Sequence, residues 1–231
     1  MAHGNYYGSA YIHSAEIIRK GVEDMEVRKR VTERLTWKQV GEALEIGKAK
    51  ELLKVGDQIT VQHKDLGAVV FDVLDFDKEE LIGDQKHSIT LQMHKLLLPE
   101  MPFDEAGRNK WEKSTIREKF AKQEFINGFE AGFRELLAAA LKKNDDREKT
   151  ADIFFLLSVE EMTEIDERYA FYDDRANMCK QNEDGYGDWY WTRSANRGSG
   201  SITWFVYSSG YVYGNNANSD YRCAPACVIA K

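Results

Sequence analysis

Carboxylates crowd the stretch "SVEEMTEIDERYAFYDD", where a pair drawn from Glu160, Glu161, Glu164 and Asp166 would be the candidates for general acid and base work. The default for such a run is a charged helix face turned to water. A nucleophile and base are harder to find. The five histidines (His3, His13, His63, His87 and His94) all fall in the first 94 residues and lack the context of a Ser-His-acid arrangement or of metal-ligand spacing. There is no G-x-G-x-x-G and no phosphate loop; "GYGDWYW" has glycines but no helix to follow. Of three cysteines, Cys223 and Cys227 flank Pro225 in an extended segment. At about 3.3 Å per residue their Cα atoms would lie roughly 13 Å apart, too far for a disulfide. Reduced, buried thiols are expected, with no cofactor or metal.

The remaining chemistry is that of recognition. "WFVYSSGYVYGNNANSDYR", Trp204 to Arg222, sets aromatic residues around a Ser-Gly turn and follows them with Asn and Ser. A three-residue loop, Ser208-Ser209-Gly210, with Gly210 in the left-handed region pairs Tyr207 with Tyr211, Val206 with Val212 and Phe205 with Tyr213. Trp204, Val206 and Val212 then share a core face. Phe205, Tyr207, Tyr211 and Tyr213 share the other face. Tyr offers rigid contact area with a polar tip, and Ser and Asn offer adaptable hydrogen bonds. The "GNNANSDY" that follows is too poor in β formers for a strand interior.

The elements that must hold this ribbon read as an α+β chain. A polar tail fills residues 1–13, and apolar residues Ile17, Ile18, Val22, Met25, Val31 and Leu35 predict a helix from Ser14. Trp37, Val40 and Leu44 predict a short helix that Gly47 closes. "KVGDQITVQHKDLGAVVFDVLDFDKEELIGDQKHSITLQMH" predicts an antiparallel meander. Pro99 and Pro102 mark a loop. "KWEKSTIREKF" opens helical structure with a capping box at Thr115 and Glu118. Phe125, Phe129, Phe133, Leu137 and Leu141 recur at every fourth position and predict one long helix packed on the core. A buried strand, Ile153–Leu157, leads to Ser158 as the cap of a short helix. Residues 168–188 are irregular, and from Trp189 the chain is β-rich.

The 231 residues carry a net charge of −7, which argues against nucleic acid, and no apolar run is long enough to insert in a membrane. The N-terminus lacks the pattern of a signal peptide, so cytoplasmic synthesis is expected.

"YWTRSA", then "WFVYSSGYVYGNNANSDYRCAPACVIA", resembles the C-terminal end of C-type-lectin-fold proteins of gut bacteria and their phages. Trp191-Thr192-Arg193-Ser194 stands for their Trp-Leu-Arg-Ser motif. Tyr221-Arg222-Cys223-Ala224-Pro225-Ala226 stands for their closing Val-Arg-Pro-Ala, with Cys223 inserted. "KVGDQITV", "HSITLQMH", "NKWEKSTIREKF" and "DIFFLLSVEEM" extend the resemblance over roughly Trp37 to Lys231, leaving residues 1–36 as a separate tail and helix. Some of these proteins are the variable proteins of diversity-generating retroelements, in which adenine mutagenesis rewrites Asn codons. The resemblance implies that Asn196, Arg197, Ser199, Phe205, Tyr207, Tyr211, Tyr213, Asn215, Asn216, Asn218, Ser219, Asp220 and Tyr221 are variable-like ligand-binding positions. Trp204, Val206, Gly210, Val212, Ala217 and Arg222 look constant. It implies a non-enzymatic protein that binds a protein or cell-surface ligand, made in the cytoplasm and assembled into a phage particle. The N-terminal helix would serve homo-oligomerisation or attachment. The alternatives are an undiversified interaction module whose Tyr face packs on a partner subunit, and an enzyme of the formylglycine-generating type, whose fold is related. Calcium-holding Glu-Pro-Asn and Trp-Asn-Asp motifs are absent, and Cys223 and Cys227 do not match the cysteine pair such an enzyme needs.

Overall fold

A computed structural model of the chain describes residues 35–144 and 149–231. The helix expected from Ser14 and the tail before it lie outside these residues. The described chain is α+β, with three sheets and short helices. Helix α1 spans Trp37–Glu45. Its N-cap is a reciprocal box in which Thr36 Oγ1 accepts from the Gln39 amide and Gln39 Oε1 accepts from the Thr36 amide. Gly47 closes it at φ 72° and leads to α2, Ala49–Leu52.

The meander forms as expected. β1 (Gln58–His63), β2 (Gly67–Phe76) and β3 (Ser88–Met93) pair antiparallel in sequence order. β13 (Ala226–Ala230) docks on β3, and β5 (Leu137–Ala138) and β8 (Phe154–Phe155) pair along the other side of β13. In β3 Ile89 and Leu91 are buried, and so are Thr90 and Gln92 between them. The sheet is therefore covered on both faces at that strand.

The second sheet runs β11–β10–β9–β12–β4. Its strands are β4 (Leu97–Pro102), β9 (Tyr190–Ala195), β10 (Ile202–Val206), β11 (Val212–Asn216) and β12 (Asp220–Cys223). The β9–β12 pairing is parallel and the others are antiparallel. Two expectations fail here. The Pro99 and Pro102 segment is a strand, β4, which lies at the sheet's edge where a missing N–H is tolerated. Gly214-Asn215-Asn216 continues β11, because Thr203 and Ile202 of β10 supply partners whatever the β propensity of the residues.

The long helix is also overturned. α3 is Thr115–Ala121, and its N-cap is Ser114, whose hydroxyl accepts from the Arg117 amide; Thr115 is not the cap, and its hydroxyl instead accepts from the Glu105 amide. The chain then breaks into α4 (Gln123–Ile126) and α5 (Ala131–Arg134) before β5 and the third sheet's hairpin, β6 (Ala140–Lys143) with β7 (Lys149–Asp152). The end of β1 pulls the helix apart. Lys64 N donates to Gly128 O at 2.8 Å and Glu130 N donates to Gln62 O at 2.9 Å. A Cβ on residue 128 would lie 2.1 Å from His63 Nε2, so the close approach requires glycine. The phenylalanines still form core. Phe129 packs against Phe125, Phe133 and Phe154 with ring centroids 5.6, 5.4 and 5.1 Å away.

Ser158 caps α6 (Glu160–Thr163) as expected: its Oγ accepts from the Glu161 amide, and the Glu161 carboxylate accepts from the Ser158 amide. The expected charged face forms in part: Glu160 is half-buried and Glu164 and Asp166 are exposed, and Glu161 is the exception. Glu161 is buried between Arg193 and Lys142, while Glu164 and Asp166 are exposed and apart from it.

Candidate functional site

The β10–β11 hairpin adopts the register read from its turn. Val206 faces Val212, Phe205 faces Tyr213, and Tyr207 N donates to Tyr211 O at 2.7 Å. Gly210 closes the loop with φ 78° and donates to Tyr207 O at 2.8 Å. Its backbone sits so close to a neighbouring segment that a Cβ there would lie 3.2 Å from Cys179 Sγ. The turn is thus fixed both by conformation and by packing.

The sorting of the two faces holds in part. Tyr207, Tyr211 and Tyr213 are 37%, 57% and 53% exposed, and Val206 is fully buried. Phe205 and Tyr221 are corrections: both are buried. Trp204 and Val212, expected in the core, are only half-buried. The reason is that β10 is an interior strand of a five-stranded sheet, not half of a two-stranded ribbon. On the tyrosine side Phe205 drops into a nest of rings from neighbouring elements. Its centroid is 4.6 Å from Tyr221, 5.8 Å from Trp189 and 6.2 Å from Trp191. Trp191 Nε1 donates to Met101 O at 3.0 Å, and the Tyr221 hydroxyl accepts from Asn215 Nδ2. This buried layer supports an outer one. Tyr207 lies 4.8 Å from Trp189 and 5.9 Å, edge on, from Tyr213. Such pairs add roughly 0.5–1.5 kcal/mol each beyond area burial. Tyr211 turns away from them toward Arg175, whose guanidinium lies 5.2 Å from its ring.

The other variable-like positions gather at the opposite end of the sheet. Asn196, Arg197 and Ser199 belong to the β9–β10 loop, and Asn218 and Ser219 to the β11–β12 turn; Asn216 and Asp220 end and begin the strands around that turn. Asn109 ties the first loop down, donating through Nδ2 to the carbonyls of Asn196, Ser199 and Ile202. Arg197, Asn216, Asn218 and Asp220 are exposed, and Asn196, Ser199, Asn215 and Ser219 half-buried. The spacing of β10 separates this polar end from the tyrosines by roughly 15 Å. Sequence reasoning missed Trp189, Arg175 and Asn109. Only Trp189, in the aromatic run "DWYW", carried a signal.

Beneath the sheet, β9 is anchored by charge. Arg193 donates to Glu161 with Nη1 at 2.5 Å and Nη2 at 2.7 Å, and to the carbonyls of Leu156 and Lys143. Lys142 Nζ lies 2.7 Å from Glu161 and 2.6 Å from Glu79, and Tyr169 donates to Glu79 at 2.6 Å. Burial pushes the Glu161 carboxyl up, but Arg193 and Lys142 outweigh it and hold the group below the ordinary carboxylate range. Burial likewise raises the Tyr169 phenol, helped by the two carboxylates.

The thiols are free. Burial lifts Cys223 to about 12 and Cys227 well above its ordinary value. Cys179, expected to be buried, is exposed. Among the described residues no group of three or more His, Cys, Asp or Glu is placed to hold a metal ion, and no helix is long and apolar enough to cross a membrane.

Residues 90–231, more than half of the chain and all of the second sheet, match the family described as a domain of unknown function, DUF6273. The chain belongs to that family. No curated protein and no solved structure matches it.

Proposed function

We propose that this is a non-enzymatic binding protein on a C-type lectin scaffold, which meets its ligand through the outer side of the β10–β11 hairpin. The observation that carries the reading is the division between layers: Phe205, Tyr221 and Trp191 are buried, while Tyr207, Tyr211 and Tyr213 stand exposed above or beside them. Aromatic area left in water on a supported strand is the composition of a binding surface. Diversification by a retroelement would use the exposed layer and the polar loops, which can change without loss of the core. Phe205 and Tyr221, although variable-like in type, would tolerate far fewer replacements. The ligand would be a protein or another component of a cell surface, met in a phage or prophage setting.

Two measurements test this. The gene neighbourhood should hold a reverse transcriptase and a repeat differing from the codons of residues 196–221 at adenines. Replacing Tyr207, Tyr211 and Tyr213 together by Ala should abolish capture of ligand-bearing cells while the fold persists. A triple variant that still binds them as the parent does refutes the tyrosine face.

A further inference from the structure

We propose that residues 27–34 of this chain dock on its own first sheet, in the groove between α1 and β1, with Val27 and Val31 as the seated side chains. The groove has a volume of about 430 Å³, within the range of clefts that hold ligands. Its floor is apolar, since Val40, Leu53 and Ile59 are all buried. Leu35 and Trp37, both half-buried, line it from the α1 side. Trp37 is propped there by Phe133, with ring centroids 5.1 Å apart, and by Gly132, where a Cβ would lie 2.8 Å from Trp37 Cβ. The groove is therefore built by the fold and does not close on itself.

The β1 side of the groove is a sheet edge. β1 ends the strand order of the first sheet, and among the described residues its outer side is closed at one end. There Gln62 O accepts from Glu130 N, and Lys64 N donates to Gly128 O. Thr60, two residues before Gln62, turns its own N–H and C=O the same way. It lines the groove and is exposed. A bare strand edge invites pairing with another chain, and a helix or loop laid over it is a common remedy.

Position, pattern and charge name the occupant. Leu35 is the first described residue and itself lines the groove, so the chain before it starts from the groove's mouth. At roughly 100° per residue, Val27, Val31 and Leu35 fall along one side of a helix, each four residues from the next. Ile18, Val22 and Met25 fall on a different side. The later stripe is the one that leads to Leu35 and so into the groove. Residues 27–34 read Val-Arg-Lys-Arg-Val-Thr-Glu-Arg, four cations to one carboxylate, and Glu130 gives the groove its negative charge. A segment tethered at the groove's edge binds at high effective concentration, so a small apolar contact suffices. The same segment from a second copy lacks that advantage.

Amide hydrogen exchange of the full chain tests this. The amides of residues 28–34 and of Thr60 should exchange about tenfold or more below their unprotected rates, to the same degree when the sample is diluted. Val31→Asp should speed both by about tenfold, the effect of losing one buried valine, and Met25→Asp neither. Unprotected exchange of residues 28–34 in the unaltered chain overturns the docking. A Thr60 amide that Val31→Asp does not move overturns the groove as its place. Equal release by Met25→Asp overturns the choice of stripe. Protection that falls on dilution makes the occupant a second copy's segment and overturns docking within one chain. The amides of β3 and β13 report whether a variant is folded, and Val27→Asp repeats the test should Val31→Asp not fold.

Discussion

Glu161→Gln is the sharpest perturbation of the scaffold beneath the site. In the folded chain Glu161 and Glu79 balance Arg193 and Lys142, all within one buried cluster. The amide keeps the shape and one acceptor but removes the charge, leaving a buried excess of positive charge. Breaking a buried pair in this way costs roughly 3–5 kcal/mol. For a chain of this size that lowers the melting temperature by roughly 6–20 °C. Thermal melts measure the shift, and urea melts followed by tryptophan fluorescence measure the free-energy loss. Arg193→Met alone leaves the opposite imbalance and a similar cost. Glu161→Met with Arg193→Met removes one charge of each sign and keeps Lys142 on Glu79, so the double variant should lose far less than the sum. The pH dependence has a definite sign. The Glu161 carboxyl is held below its ordinary value of 4.5 in the folded state, so its stabilisation is complete above that pH and drains as the pH falls below it. The gap between parent and Glu161→Gln should therefore narrow in acid. A Glu161→Gln variant within about 1 kcal/mol of the parent at neutral pH, or two single variants whose losses simply add, would refute the account.

Phe205→Ala should cost about 3–5 kcal/mol in the same melts, whereas Ala at Tyr207, Tyr211 or Tyr213 singly should cost about 1–2 kcal/mol, since each of those rings loses only partial contacts. A larger loss from any one of the tyrosines than from Phe205 would reverse the layer assignment. Gly210→Ala should cost about 1–2 kcal/mol because residue 210 is left-handed and its Cβ would press on Cys179, read as a lowered urea midpoint. A thiol reagent should label one cysteine, Cys179, in the native chain and all three only in denaturant; rapid native labelling of Cys223 or Cys227 would show that their burial is wrong.

Local signals carried well from sequence to structure. The Gly210 turn set the hairpin register, the alternation in residues 58–93 gave the meander, and Ser158 marked a cap. What failed were features set by distant neighbours. The four-residue spacing of phenylalanines suits a helix, but the pairing of Gly128 and Glu130 with the end of β1 decides otherwise, and nothing near residue 128 announces it. Phe205 looked like its neighbours Tyr207 and Tyr213. Its burial follows from Trp189, Trp191 and Tyr221, which the sheet order brings over it. Glu161 was one acid among many until the fold set Arg193 against it.

The position of β13 bears on how the molecule comes together. It lies between β3 and the pair β5 and β8, more than a hundred residues along the chain from β3. The meander is local and closes early, but its β3 side stays an open margin until that remote strand arrives. Non-local pairing of this kind is expected to slow folding, and refolding yield should therefore fall as chain concentration rises. Cooler, more dilute production should favour the correct pairing.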